Sequence, residues 1–312
     1  MKVSVVMCAY NGQKFLHEQL SSIVKQTRRP NEIIICDDCS TDNSWAILKR
    51  FELLAPFAVR LRRNSSNIGV TANFESGLQM ATGDIVFLCD QDDVWRSDKI
   101  ESTIKIFGRD PEIGMVFTDG ELVDQNMRPD NMTLWQASNI TPETLRDFEQ
   151  QPLQFLLARQ NIITGAAAAF SRKVIKAALP FPKRMAVLHD AWLGQVAASV
   201  SRVKCDPRLL FKYRQHSSQL VGTRRHHLHL TRSHYEAQYD QLTALQYRFG
   251  TGTNRSVSEL LSGNIAHLHA RLSLPKEVTA RFDAVVREAS SGRYDQFSNG
   301  IRSAAKDVLL GV

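Results

Sequence analysis

The chain of 312 residues has no apolar run approaching the ~18 residues needed to cross a bilayer. Its first residues, Met-Lys-Val-Ser-Val-Val-Met-Cys-Ala-Tyr, reach polar Asn11-Gly12 too soon for a secretory leader, and no small-residue cleavage pattern follows. A cytoplasmic protein is therefore expected. No Gly-x-Gly-x-x-Gly follows the first apolar run, and no Gly-x-x-x-x-Gly-Lys-Ser/Thr occurs anywhere, which disfavours dinucleotide-binding dehydrogenases and P-loop NTPases. Cysteine is scarce. Of five, Cys8, Cys36 and Cys89 end apolar runs as small hydrophobes, and Cys36-x-x-Cys39 lacks the second pair of a zinc site. An acidic excess is also missing: 39 Lys or Arg face 32 Asp or Glu, a net charge of +7. That balance suits a nucleotide, a nucleic acid or a membrane surface without choosing among them.

What is present is a regular alternation. Lys2 to Cys8 reads as a Val-rich strand, then Leu16, Leu20, Ile23 and Thr27 fall on one helical face, stopped by Arg28-Arg29-Pro30. Glu32 to Cys36 is a second strand, after which Thr41 or Asp42 caps a helix through Arg50. Val59–Leu61, a polar turn over 64–69, a helix over Thr71–Ala81 and a strand at Ile85–Leu88 continue the pattern. Ser97 opens a helix to Phe107, and Met115–Thr118 forms another strand. Such an order implies right-handed βαβ units and a parallel sheet, a doubly wound α/β region of about 120 residues.

The chemistry gathers where the strands end. Straight after Leu88-Cys89 come Asp90, Asp92 and Asp93, three carboxylates in four positions. Like charges so close repel, and a hard divalent cation shared with phosphate oxygens relieves them. A solvated acidic turn is the plain alternative. Tyr10-Asn11 and Asp37-Asp38 also follow strands, and that convergence makes a ligand crevice.

Four motifs then match a known family in order and spacing: Val3 through Gly12, Cys36-Asp-Asp-Cys-Ser-Thr-Asp-Asn-Ser44, Asn67-Ile-Gly-Val-Thr-Ala-Asn73, and Gly83-Asp84 through Asp90-Gln-Asp-Asp-Val-Trp95. Together they resemble the inverting family 2 glycosyltransferases, whose GT-A fold is a Rossmann-like mixed sheet flanked by helices. A looser resemblance runs to Gly222 through Ile163-Thr164-Gly165, His189-Asp190-Ala191-Trp192 and Tyr213-Arg214-Gln215-His216. Those pieces are most similar to rhamnosyltransferase-type enzymes of bacterial surface polysaccharide synthesis.

The resemblance implies roles. Ala9, Tyr10 and Asn11 would lie along the nucleotide of a nucleoside-diphosphate sugar such as dTDP-rhamnose or a UDP-sugar. Asp38 would meet the base edge, Asp37 would support its loop, and Asn73 belongs to the same donor side. Asp90 and Asp92 would approach the ribose or diphosphate, while Asp92 and Asp93, with His216, would hold Mg²⁺ or Mn²⁺. Two alignments across Gln91 leave the order of roles among these aspartates open. Arg214 would neutralise diphosphate.

Asp190 matches the family's catalytic base, which takes a proton from the acceptor hydroxyl of a saccharide or lipid-linked glycan. Alone, it reads as the N-cap of a following helix. Thr164, Gly165 and Trp192 are acceptor-side candidates, although a Trp more often packs than binds. Ala167–Phe170 reads as a buried strand, and 120–151 as a loop over the acceptor side.

Beyond residue 222 the family pattern stops, so 1–222 is expected as the catalytic domain and 223–312 as a basic, helical appendage. The latter holds six of the nine histidines, with Arg224-Arg225-His226-His227-Leu228-His229 read as a solvated face. Leu261, Ile265, Leu268 and Leu272 form a helical stripe. Packing on the catalytic domain, dimerisation and peripheral contact with the inner membrane are all open to it. Two competing readings are a sugar-1-phosphate nucleotidyltransferase, whose Gly-rich basic loop Tyr10-Asn11-Gly12-Gln13 imitates poorly, and a non-enzymatic basic module. Acidic strand ends oppose binding of nucleic acid.

Overall fold

Val3–Ala9 (β1) is apolar on both faces because both faces are covered, as in a parallel sheet flanked by helices. The computed structural model describes residues 1–217, 219, 231–250 and 255–311. The basic histidine-rich run at 224–229 lies outside the described residues. In chain order come α1 (Leu16–Val24), β2 (Glu32–Asp37), α2 (Ser44–Leu54), β3 (Ala58–Arg63), α3 (Val70–Met80), β4 (Ile85–Asp90), β5 (Val94–Trp95), α4 (Lys99–Phe107), β6 (Ile113–Asp124), β7 (Pro129–Thr133), α5 (Leu134–Ala137) and α6 (Pro142–Gln150). Then follow α7 (Pro152–Ala158), a 3-10 turn (Gly165–Ala167), β8 (Ala168–Ser171), α8 (Arg172–Ala178), α9 (His189–Val200) and β9 (Arg202–Gln215). The last helices are α10 (Arg232–Phe249), α11 (Arg255–Leu272), α12 (Val278–Ser290), α13 (Arg293–Phe297) and α14 (Ile301–Leu310).

The described residues form two compact units. The first comprises those of Met1–Glu149, Ile162–Pro180 and His189–Arg225; the second comprises those of Gln150–Asn161, Phe181–Leu188 and His226–Val312. The second thus takes in two segments from before residue 222, because the apolar side chains of α7 pack with α11 and α13.

In the first unit the sheet order is β3-β2-β1-β4-β8-β6-β9-β5, with β7 on β6. β1, β2, β3 and β4 are mutually parallel, while β8 runs antiparallel to both β4 and β6. Register pairs Ala9 with Asp37 and Cys8 with Asp90, so three polar strand ends share one sheet edge. This is the physical basis of the site.

Several local expectations change. α1 ends at Val24, before Thr27, whose hydroxyl instead bonds Glu101 at 2.8 Å. Asn43, not Thr41 or Asp42, occupies the N-cap of α2, although Asp42 accepts the Ser44 N–H at 2.9 Å, and the helix runs on to Leu54. Asp98 rather than Ser97 precedes α4. Residues 120–151 are not a loop: β6 continues to Asp124, followed by β7, α5 and α6. Asp119-Gly120 hid that continuation by breaking the apolar pattern, since register shifts on either side of Asp119 let its carboxylate accept the Gly120 and Trp135 N–H groups.

In the second unit α10 pairs with α11, burying Leu261 and Leu268 from the expected stripe. Two charge networks lie inside. Arg271 grips Asp307 through two bonds of 2.6 and 2.8 Å, and Tyr294 donates to the same carboxylate at 2.8 Å. His267 meets Glu288 at 2.8 Å, and Arg293 closes on that carboxylate from outside. Among the described residues no helix is long and apolar enough to cross a membrane.

Candidate active site

The loop after β1 is built by its own side chains. Asn11 adopts a left-handed φ of 50°, and its Oδ1 accepts the Thr41 N–H at 2.8 Å. Gln91 was missed in the sequence beyond its effect on alignment, yet it forks onto Tyr10, accepting its N–H at 2.9 Å and donating to its carbonyl at 3.0 Å. The fork ties the first loop to the acidic stretch. A Cβ on Gly12 would lie 2.1 Å from Gln91 Oε1, so a larger residue there would displace the fork. The Tyr10 ring stays largely exposed, as a surface along a ligand requires.

Asp37 and Asp38 are both buried. Asp37 pairs with Arg63 at 3.2 Å and takes the Ser40 N–H. Asp38 accepts from Asn64 Nδ2 at 2.8 Å and from the Ile68 and Gly69 N–H groups at 2.9 Å each, shaping the loop ahead of α3. Asn73 does not face a donor: it is buried, donating to the Cys36 carbonyl at 2.8 Å and accepting from Asn64 at 2.9 Å. Both ends of its amide are engaged inside the fold, which corrects its expected place along the nucleotide.

The acidic stretch spans a gradient of burial. Asp90 is half-buried, and burial first, then the charges of Asp92 and Asp190, push its carboxyl up to about 7. Asp92 Oδ2 lies 2.8 Å from His216 Nε2, bringing together two of the residues expected to hold a metal. Asp93 is fully enclosed. One oxygen accepts the Arg214 N–H at 3.2 Å, the other is buried without a hydrogen-bond partner among the described residues, and burial followed by its two neighbours raises it well above the carboxylate range.

Arg214 was expected on the diphosphate but is itself buried. Its Nε donates to the Asp92 carbonyl at 2.7 Å, one Nη donates to the Gln125 carbonyl at 2.9 Å, and the other closes on Glu18. Arg214 is thus corrected from a surface cation to a brace that holds the acidic stretch against β9. Phe15 packs under both side chains, 4.8 Å from the guanidinium and 4.6 Å from the His216 ring.

Asp190 sits in the first turn of α9, two residues past where an N-cap would lie. Its Oδ2 accepts the Gly165 N–H at 3.2 Å and its Oδ1 the N–H of Ala191 at 2.7 Å. Thr164 contributes its carbonyl, which accepts the Ala167 N–H at 3.0 Å and closes the turn presenting Gly165. His189 is buried against Phe74, ring centroids 3.9 Å apart, and burial lowers its pKa despite neighbouring Asp190. Trp192 is not an acceptor platform. It is wholly buried with its indole N–H given to the Ala178 carbonyl at 3.2 Å, because the apolar α9 is covered all round.

Lys99 also went unnoticed in the sequence. It is 1% exposed, its ammonium donating to the Ala166 carbonyl at 2.6 Å and standing over the rings of Phe211 at 4.2 Å and Trp95 at 4.6 Å. A Lys followed by Ile at a helix start carries no signal of burial.

Residues 4–179 match the model described as Glycosyl transferase family 2. The chain belongs to that family. It is 29% identical over 219 residues to an uncharacterised glycosyltransferase of Nostoc sp., which covers 70% of this chain and 66% of that protein. Against dTDP-rhamnosyl transferase RfbG of Shigella flexneri it is 34% identical over 102 residues, 31% of this chain and 35% of that one. The chain thus spans just under two thirds of the first relative's length and about a third of the second's. The crystal structure of S. aureus TarS 1-349 in complex with UDP-GlcNAc superimposes with a TM-score of 0.64 at 15% identity, covering 99% of this chain and 88% of that one. The fold is the GT-A mixed sheet with flanking helices and a helical C-terminal region.

Among the described residues no group of three or more His, Cys, Asp or Glu is arranged to enclose a metal by itself. The family 2 site still fits a hard divalent ion: the partnerless buried oxygen of Asp93 and the carboxylate of Asp92 are oxygen donors of the number Mg²⁺ takes when phosphates complete its shell.

Proposed function

We propose that the chain is an inverting glycosyltransferase that moves a sugar from a nucleoside-diphosphate donor to a hydroxyl of a saccharide or lipid-linked glycan in surface polysaccharide synthesis. The observation that carries this reading is the Asp190 carboxylate, held by the Gly165 N–H where its charge is felt by Asp90 at the end of β4. A carboxylate so fixed, facing the acidic strand ends, suits deprotonation of an acceptor beside a donor diphosphate.

Asp190 takes the proton of the acceptor hydroxyl as its oxygen bonds the anomeric carbon. On the opposite face the bond from that carbon to the diphosphate oxygen breaks, so the anomeric configuration inverts. Hydrogen bonds from the Gly165 and Ala191 N–H groups hold the Asp190 carboxylate in place before the reaction. Tyr10 and the Gln91 fork line the donor side. Asp92 and Asp93 are the residues to hold Mg²⁺ or Mn²⁺, which when bound stabilises negative charge on a departing diphosphate.

For the donor, a dTDP-sugar such as dTDP-rhamnose or a UDP-sugar is supported by the similarity to the rhamnosyl transferase and by the likeness to the UDP-GlcNAc complex. The test is a thermal-shift panel of UDP, dTDP, GDP and CMP, each with and without Mn²⁺. Stabilisation by one diphosphate only in the presence of metal is expected, since a ligand of the folded state raises Tm by mass action. Absence of stabilisation by any of them would remove the donor site as assigned.

A further inference from the structure

A fully buried lysine joins the two halves of this site. The Lys99 ammonium donates to the Ala166 carbonyl at 2.6 Å, inside the Gly165–Ala167 turn. The same turn is closed by the Ala167 N–H on Thr164, at 3.0 Å, and gives its first N–H to Asp190 at 3.2 Å. Lys99 therefore grips from behind the turn that grips Asp190 in front. On its other side it responds to the acidic stretch: burial lowers its pKa to about 8, while Asp93, Cys89 and Asp90 oppose the loss of charge. The rings of Trp95 and Phe211 complete the pocket and offset part of the ammonium's lost hydration.

We propose that Lys99 is a positioning residue of the transfer step, its buried ammonium fixing the Gly165–Ala167 turn so that the Gly165 N–H holds the Asp190 carboxylate in place. The proposal rests on Asp190 being the base. A neutral apolar residue fills the same space but leaves the Ala166 carbonyl unpaired in the interior, and the turn then shifts to find another donor.

The test uses the whole chain with UDP-glucose or dTDP-rhamnose, whichever nucleotide stabilises it, following release of diphosphate to water across a range of donor concentrations. Lys99→Met, which keeps the stem and drops the ammonium, is expected to bind the nucleotide within threefold of wild type. Its kcat should fall at least tenfold while KM for the donor stays within threefold of wild type, the split expected when only the base is misplaced.

An unaltered kcat, or a loss of nucleotide binding or rise in donor KM in step with the fall in kcat, would overturn the proposal. So would failure of both Lys99→Met and Lys99→Arg to fold, which would make Lys99 a determinant of the fold alone. Asp190→Asn is measured alongside. Full turnover there refutes the base itself, whereas lost turnover there with an active Lys99→Met refutes only the role of Lys99.

Discussion

His216 Nε2 and Asp92 Oδ2 meet at 2.8 Å across 124 residues of sequence, joining the end of β9 to the acidic stretch after β4. Neither residue makes a metal site by itself. Together they orient one carboxylate beside the partnerless oxygen of Asp93.

From this pairing, His216→Ala is expected to weaken Mn²⁺-dependent nucleotide binding about tenfold, the usual scale for removing a group that orients a ligating carboxylate. Asp92→Asn should do the same, and the double variant should lose less than the product of the two. Calorimetric titration with the nucleotide and Mn²⁺ reads this directly. Multiplicative losses would mean that the two residues act separately.

Asp190→Asn keeps the shape of the side chain and removes the proton acceptor. Its kcat is expected to fall by about 10²–10⁴, the range for loss of a general base, while the nucleotide still binds. Stopped or burst assays of diphosphate release, paired with a binding measurement, separate the two effects.

Gln91→Ala unpairs the N–H and carbonyl of Tyr10. Because that loop is partly exposed, water replaces some of the loss, and a cost of about 1 kcal/mol is expected. Nucleotide affinity should fall with it. Chemical denaturation gives the first value, and titration gives the second.

Trp192→Phe keeps an aromatic ring in the core but deletes the bond to the Ala178 carbonyl and leaves a small void. Stability should drop by about 1–3 kcal/mol, with KM for any acceptor unchanged. A rise in acceptor KM without loss of stability would return Trp192 to the acceptor site.

The second unit carries a pH dependence of definite sign. Burial holds the His267 pKa below its ordinary value, despite the bond to Glu288. Burial alone would raise Glu288, but the bonds from Arg293 and His267 override it and hold it below the usual glutamate value. As pH falls through about 6.5, the unfolded chain binds a proton at His267 that the folded chain does not, so stability decreases. Glu288 contributes stability above its unfolded pKa, which is lost as pH falls below that range. The Tm advantage of wild type over His267→Gln should therefore shrink as pH falls from 7 towards 5, which thermal melts of the two proteins at matched pH check.

Much of the fold was legible because it follows from local periodicity. The buried strands β1, β2 and β4 are continuous apolar runs, and the polar residues directly after them had to emerge together once the strands were parallel and in register. Short ranges were less clear. Helix caps shifted by one or two positions, and β6 was cut short at Asp119 because a carboxylate satisfying backbone N–H groups within a bulge looks like the end of a strand.

Residue roles divided along a different line. That carboxylates at 90, 92, 93 and 190 belong to one edge of an α/β sheet follows from their motifs and from the alternation of elements around them. Which polar groups face outward depends on neighbours far away in the chain. Asn73, Arg214 and Trp192 are polar or amphipathic, and each was assigned to a ligand; each is instead buried, because a carbonyl or carboxylate from another element meets its donors there. Lys99 shows the converse. Nothing near it in sequence marks it as internal, and only the approach of Ala166, Trp95 and Phe211 makes burial of an ammonium tolerable. Local patterning sets which segments are strands and where their ends lie, whereas the satisfaction of buried donors and charges is a property of long-range packing, decided only once the sheet has closed.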